Sequence, residues 1–248
     1  MAVQDVELKT REGTMDAKLF HPDGQGQWPA VILLTDAFGI RPVFEAMANR
    51  LVAAGYVVLL PNVYYREGRA PLPNLEGSFS SEEGRKRIYG LIGSLTPERV
   101  KADAAAELDF LAGHAKVKKG SRVGVVGYCM GGSMVVRFAA DFPERIAAAA
   151  SFHGGRLATD APDSPHRVVG KVKGELYFAH ADQDASMPAE AIAQLETALK
   201  TAGVKHQSEL YTGARHGFAV EGSAVYDKDA SERHWSKLLE LFGRTLRA

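Results

Sequence analysis

The sequence has 248 residues, of which 46% are hydrophobic and 24% charged, and 30 basic side chains balance 30 acidic ones. This length and composition suit one globular domain over residues 1–248, and the balanced charge argues against nucleic acid or an anionic membrane as a partner. A single cysteine excludes an intramolecular disulfide, and the lack of a signal-peptide layout and of any membrane-length apolar run predicts a cytoplasmic location.

The predicted elements begin with two strands and then alternate between short apolar runs and helical patterns. The apolar runs predict strands that are buried on both faces. Proline near a helix start and glycine after its end mark helix boundaries, as at Pro42 and Gly55. Residues 62–80 are rich in Pro, Gly, Ser and Asn and predict a long surface loop. In chain order the predicted strands are 3–10, 15–22, 30–35, 56–61, 122–127, 145–152, 174–180 and 205–213, and the predicted helices are 42–55, one after residue 80, 96–113, 131–143, 188–203 and 225–243.

This alternation predicts an α/β fold with a mostly parallel sheet and helices on both faces. Sheets of this kind bind ligands beyond the carboxyl ends of their strands. The candidate site residues of this sequence follow predicted strands, so we expect them to meet at one edge of the sheet.

The only cysteine lies in a sharp turn between a predicted strand and a predicted helix. The segment Gly127-Tyr128-Cys129-Met130-Gly131 has the G-x-C-x-G pattern of a nucleophile elbow, with Cys in place of Ser. The helix that follows favours a thiolate at its N-terminus, and the Met130 N–H is placed to stabilise an oxyanion. The alternative is that Cys129 is a small packed residue. A phosphate loop is disfavoured because GxGxxG and the GK[ST] ending are both missing.

Two later strand ends offer an acid and a histidine in the order that such a hydrolase requires. Asp182 and Asp184 follow the strand at 174–180, and His216 follows the strand at 205–213. The residues alone leave the choice between the two aspartates open. His153 follows another strand, and we expect a structural histidine with a hydrogen-bonded ring there, the alternative being that its ring faces the cleft. The histidines show no metal-ligand spacing, so neither a metal nor another cofactor is expected.

These motifs resemble the dienelactone hydrolase (carboxymethylenebutenolidase) family of the α/β-hydrolase superfamily over nearly the whole chain. The elbow continues into Gly132 as the family's G-[FY]-C-x-G-G, and an HGF motif contains His216. Pro188 follows Asp184 at the family's spacing, which selects Asp184 over Asp182. Asp36 stands in the family's E-x-F-G motif, with Asp in place of Glu.

The resemblance implies a Cys129, Asp184 and His216 triad, with the Ala37 N–H as a second oxyanion donor beside Met130. It also implies that Asp36 modulates the thiol, although like-charge repulsion opposes a thiolate beside a carboxylate. The alternative for Asp36 is that it caps the turn or helix that follows it.

The substrate side of the predicted site is less well defined. Arg85 and Tyr89 have the spacing of a family arginine and tyrosine that lie on one helix face, where the arginine binds a substrate carboxylate. The alternative for Arg85 is a solvated helix face. A second family arginine is replaced by Val220, which weakens a two-arginine anion clamp. Tyr64 follows a strand end and is a candidate for lining the pocket.

The predicted function is a cysteine hydrolase that opens a lactone or cleaves a small carboxylic ester through an acyl-enzyme. One alternative is a general carboxylesterase or thioesterase without lactone preference. Another, from a different class, is a non-catalytic protein of the hydrolase fold that binds a ligand or senses oxidants through Cys129. The expected partner is a small-molecule ester or lactone, and the expected assembly is a monomer or a homodimer.

Overall fold

The computed structural model describes residues 1–75 and 77–247, which form two compact units, Met1–Gly120 and Ser121–Ala248. Each unit combines strands and helices, and each of the eight predicted strands is present. The strands are β1 (Ala2–Thr10), β2 (Gly13–His21), β3 (Ala30–Leu34), β4 (Val57–Pro61), β5 (Val123–Tyr128), β6 (Ile146–Phe152), β7 (Glu175–Gln183) and β8 (His206–Arg215). The α-helices are α1 (Pro42–Ala53), α2 (Glu82–Ser94), α3 (Pro97–Gly113), α4 (Met130–Asp141), α5 (Ala189–Thr201) and α6 (Lys228–Leu246).

The first unit arranges its strands in the order β1-β2-β4-β3. Strands β1 and β2 form an antiparallel hairpin that closes with Thr10 opposite Gly13, and Gly13 has the positive φ of 144° that the turn requires. Strand β2 is antiparallel to β4, and β3 is parallel to β4. Every residue of β3 and β4 is buried, as expected for strands covered on both faces.

The helices of the first unit begin at the capping residues that the sequence offers. Helix α1 has Pro42 in its first turn, and α3 is capped by the Thr96 side chain, which accepts a hydrogen bond from the Arg99 N–H. The Ser81 side chain caps α2 in the same way through the Gly84 N–H. The predicted loop at 62–80 contains one short 3₁₀ turn, Ser78–Ser80, within its described part.

The second unit arranges its strands in the order β5-β6-β7-β8, and all three neighbouring pairs are parallel. Strand β6 is built around a run of alanines, and these small side chains let α4 and α6 pack closely against it. Because the four strands run in one direction, their carboxyl ends lie at a single edge of the sheet. This edge carries the segments that contain Cys129, His153, Asp184 and His216.

No helix among residues 1–75 and 77–247 has both the length and the apolar character needed to span a membrane.

Candidate active site

Cys129 occupies the single residue between β5 and α4, in a backbone conformation that is rare for a residue with a side chain. Its φ is 54° and its ψ is −114°, which is a strained combination found at nucleophile elbows. Its N–H donates to the Phe152 carbonyl at the end of β6, at 3.1 Å, and this bond ties the turn to the neighbouring strand. The thiol belongs to a residue of intermediate exposure, so it is not packed away in the core.

The glycines around Cys129 are required by close backbone contacts. A Cβ atom on Gly127 would lie 2.1 Å from the Gly131 carbonyl oxygen, so only glycine permits the chain to turn back so tightly. A Cβ atom on Gly132 would lie 2.8 Å from the Cα atom of Gly154 in the loop after β6. The turn therefore requires glycine at two positions of the G-x-C-x-G-G pattern, Gly127 and Gly132.

Asp184 and His216 are paired across the ends of β7 and β8. The Asp184 Oδ2 atom lies 2.6 Å from His216 Nδ1, and the Asp184 side chain is only 2% exposed. An ionised carboxylate can only accept a hydrogen bond, so Nδ1 carries the hydrogen and Nε2 is left for the thiol. Asp182 does not join this pair, because its Oδ2 accepts the Gly213 N–H at 2.9 Å and the residue is exposed.

The electrostatics of the site favour a charged imidazole. Burial acts to lower the pKa of His216, but hydrogen bonds with Asp184 and Cys129 raise it to about 10. Burial acts in the opposite direction on Asp184, whose pKa is nevertheless lowered by His216 and by two hydrogen bonds from Ser186. The arrangement is suited to holding an imidazolium beside the Asp184 carboxylate.

His153 lies directly behind the imidazole of His216, with the two ring centroids 5.3 Å apart and the rings edge to face. The residue is 1% exposed, and neither ring nitrogen has a hydrogen-bond partner among the described residues. The expectation of hydrogen-bonded ring nitrogens was therefore wrong. The reason is that His153 faces other rings, including Phe218 at 5.2 Å. Burial, together with the charge of His216, lowers the pKa of His153 well below its usual value, so this ring stays neutral.

In the first unit, Asp36 is held by an arginine of its own loop. Its Oδ1 and Oδ2 atoms each lie 2.6 Å from one terminal nitrogen of Arg41, and Oδ1 also accepts the Phe38 N–H. The Asp36 and Arg41 side chains are 10% and 14% exposed. The carboxylate thus closes the turn after β3, and Arg41 was not predicted as its partner.

The remaining predicted residues of the first unit have distinct surroundings. Tyr64 is buried, and its hydroxyl donates to the Ala37 carbonyl at 3.2 Å, which supports the same loop. Arg85 donates to the Phe79 carbonyl at 3.0 Å. Tyr89, on the same helix, is 61% exposed and meets the Phe79 ring edge to face at 6.1 Å.

Two further features bear on ligands. Val220 is 3% exposed and belongs to the core of the second unit, so position 220 offers no charge to an anion. Within the described part of the chain, no cluster of three or more His, Cys, Asp or Glu side chains could hold a metal ion.

Comparisons with known proteins give consistent results. The sequence pattern of the dienelactone hydrolase family matches residues 15–246. A proposed carboxymethylenebutenolidase of Synechocystis sp. is 30% identical over 238 residues, covering 92% of this chain and 91% of its own length. A protein of Bradyrhizobium sp., proposed to be 2-oxo-3-(5-oxofuran-2-ylidene)propanoate lactonase, is 26% identical over 243 residues, covering 96% and 93% of the two chains.

Solved structures show the fold. A proposed dienelactone hydrolase from Klebsiella pneumoniae has a TM-score of 0.85 at 22% identity, covering 98% of this chain and 99% of its own. The dienelactone hydrolase from Anabaena variabilis has a TM-score of 0.68 at 19% identity, covering 99% and 98% of the two chains. The α/β-hydrolase fold predicted from the sequence is confirmed.

Proposed function

The chain belongs to the dienelactone hydrolase family, and we propose that it hydrolyses a lactone or a small carboxylic ester through an acyl-enzyme on Cys129. The observation that carries this proposal is the Asp184–His216 pair, joined at 2.6 Å between Oδ2 and Nδ1, in which Asp184 and Cys129 together raise the pKa of His216 to about 10. A thiolate beside an imidazolium is the reactive form of a cysteine nucleophile.

In the acylation step, the Cys129 sulfur attacks the acyl carbonyl and forms a carbon–sulfur bond. His216 then donates its Nε2 proton to the departing oxygen as the ester bond breaks. Asp184 keeps the Nδ1 hydrogen in place and stabilises the positive charge on the ring. In deacylation a water molecule gives its proton to His216, attacks the thioester, and releases the acid and the thiolate.

The tetrahedral intermediate carries a negative oxygen that needs donors. The Met130 N–H at the start of α4 is the donor expected from the elbow, and the Ala37 N–H is the second donor by family resemblance. Asp36 is proposed, also by family resemblance, to modulate the Cys129 thiol. Because Arg41 engages both of its oxygens, we assign Asp36 an effect through the shape of the loop that carries Ala37.

A lactone sets an additional requirement on this chemistry, since the opened alcohol or enolate stays tethered to the acyl group. It can attack the acyl-enzyme and close the ring again in competition with water. A stable leaving group such as an enolate shifts this balance towards hydrolysis. Arg85, Tyr89 and Tyr64 are proposed to contribute to substrate binding, with Arg85 directed at a carboxylate.

A second candidate function is a carboxylesterase without lactone preference. It is favoured by Val220, which puts a buried apolar side chain where the family has its second arginine. It is also favoured by the hydrogen bond that Arg85 already makes to the Phe79 carbonyl.

Iodoacetamide labelling tests the nucleophile. We expect Cys129 to be alkylated at neutral pH at least about tenfold faster than a free thiol, whose pKa is about 8.5, and hydrolysis of p-nitrophenyl acetate to be lost in parallel. Cys129→Ala should be inactive and folded. Labelling at the rate of a free thiol with activity untouched, or full activity in Cys129→Ser, would contradict the proposal.

Substrate comparison separates the two candidate functions. A dienelactone carboxylate, a neutral ester and a thioester are assayed with the wild type and with Arg85→Ala. Loss confined to the charged lactone supports the lactone hydrolase with Arg85 at the carboxylate. Equal rates for neutral and charged substrates in both proteins support the carboxylesterase.

A further inference from the structure

Ser186 lies two residues after Asp184 and contacts both members of the Asp184–His216 pair. Its hydroxyl donates to Asp184 Oδ1 at 2.6 Å, and its backbone N–H donates to the same oxygen at 2.8 Å. Its Oγ atom also lies 3.4 Å from His216 Nδ1. We infer that Ser186 is a positioning residue, which orients the Asp184 carboxylate and offers the imidazole a second acceptor. The inference rests on the proposed function of the Cys129 site.

In the first part of this role, Ser186 determines which of the two carboxylate oxygens faces His216. Ser186 supplies two donors to Oδ1, and Oδ2 is thereby directed towards His216 Nδ1 at 2.6 Å. The backbone N–H alone would anchor Oδ1 at one point, about which the carboxylate can still rotate. The hydroxyl adds a second donor to the same oxygen and so holds Oδ1 more firmly than the N–H alone.

The second part of the role follows from the direction of the hydroxyl hydrogen. This hydrogen is donated to Asp184, so the lone pairs of the Ser186 oxygen can accept from the Nδ1–H of His216. The Nδ1–H is then shared between a near carboxylate oxygen and a more distant hydroxyl oxygen. Both acceptors favour the same tautomer, which leaves Nε2 for the thiol.

The loop after β6 holds the hydroxyl in this place. A Cβ atom on Gly155 would lie 2.6 Å from the Ser186 Oγ atom, so the glycine backbone bounds the space of the hydroxyl. The N–H of Arg156 donates to the Ser186 carbonyl at 2.9 Å and fixes its backbone. Ser186 is therefore held in position by its own loop after β7 and by the loop after β6.

The main test is Ser186→Ala, assayed with p-nitrophenyl acetate. We expect kcat to fall by about tenfold with KM unchanged, because a charge-assisted hydrogen bond that orients a catalytic group is lost and substrate contacts are not. Alkylation of Cys129 by iodoacetamide at neutral pH should slow in parallel. In an Asp184→Ala background, Ser186→Ala should lower kcat again by about threefold, because the second acceptor is then the only one left for Nδ1.

Two further variants keep the test specific. Gly155→Ala pushes the hydroxyl away from Asp184 while retaining it, and should reproduce the loss in kcat if Ser186→Ala fails to fold. Ser164→Ala is the matched control. Its Oγ atom accepts from the Thr159 N–H at 2.9 Å and lies 2.8 Å from His166 Nδ1, so its removal should lower the thermal midpoint and leave kcat unchanged.

The outcomes separate this inference from the function on which it rests. A Cys129→Ala protein that keeps its activity refutes the proposed function. An inactive Cys129→Ala protein together with a Ser186→Ala protein of wild-type kcat and alkylation rate overturns the role of Ser186 alone. A loss of kcat in Ser164→Ala equal to that in Ser186→Ala would also overturn it, because the effect would then be one of stability.

Discussion

Two buried aspartates, Asp184 and Asp36, follow parallel strands and are bound in different ways. With backbone and side chain counted together, the two residues are 8% and 7% exposed, and both oxygens of each accept hydrogen bonds. Asp184 is bound by a hydroxyl, an N–H and an imidazole, whereas Asp36 is bound by the guanidinium of Arg41 and by one N–H.

The difference between the two sites lies in what the partner can do with its proton. An imidazole can gain and lose a proton during a reaction, so the carboxylate beside it controls that exchange. A guanidinium stays charged throughout, so the carboxylate beside it forms a permanent ion pair that fixes a loop. Position after a strand does not separate these roles, but the identity of the partner does.

The largest effect is expected from matched Asp→Asn changes at the two sites. Asp184→Asn puts an amide donor towards Nδ1, which favours the wrong tautomer, and should lower kcat/KM by about 10³-fold or more. Asp36→Asn keeps an acceptor for the Phe38 N–H and should cost less than about tenfold. Steady-state assays of both variants decide the comparison, and equal losses would mean that Asp36 takes part in the chemistry.

The next effect concerns stability and tests the ion pair in the first unit. Arg41→Met leaves the buried Asp36 carboxylate without its cation, and should lower the free energy of unfolding by about 3 kcal/mol. Arg69→Met is the matched control, because the Arg69–Glu7 pair is 74% and 54% exposed and should contribute less than about 1 kcal/mol. Urea unfolding measures both. A loss at Arg41 no larger than that at Arg69 would show that the pair is not structurally important.

The last effect is a pH dependence of stability that belongs to the Asp184–His216 pair. The pKa of His216 is raised from 6.5 to about 10 on folding, so protonation of this ring favours the folded state. The contribution is fully present below about pH 6.5 and is lost as the pH rises through about 10. The difference in unfolding free energy between the wild type and His216→Gln should therefore shrink over this interval. It should shrink less in a Cys129→Ala background, and a difference independent of pH would refute the charged imidazole.

The sequence was most informative where a single local pattern was enough to predict a structural feature. The glycines of the elbow predict the turn at Cys129, and at Gly127 and Gly132 the fold leaves no room for a Cβ atom. The apolar runs predict β5 to β8, although β7 continues to Gln183 and β8 to Arg215, beyond the predicted ends. The choice of Asp184 over Asp182 needed the family resemblance, because both residues follow the same strand.

The residues that the sequence did not reveal act through contacts that depend on how the folded chain directs their side chains. The Asp-x-Ser spacing of Asp184 and Ser186 is a local signal for a side-chain turn, but it does not say that the hydroxyl also faces His216, 30 residues later. The pairing of Asp36 with Arg41 depends on how the chain turns between β3 and α1. The unbonded ring of His153 depends on which side chains surround it.

By itself the sequence determined the order of strands and helices, the elbow at Cys129, and the order in which an acid and a histidine follow it. These features are local, because they depend on side-chain size, apolar spacing and glycine. Tertiary structure alone decided which polar atoms meet: Asp184 Oδ2 with His216 Nδ1, Ser186 Oγ with Asp184 Oδ1, and the Arg41 guanidinium with the Asp36 carboxylate. Those contacts join groups that only folding brings within 3 Å of one another, and hydrogen bonds and pKa values depend on such distances.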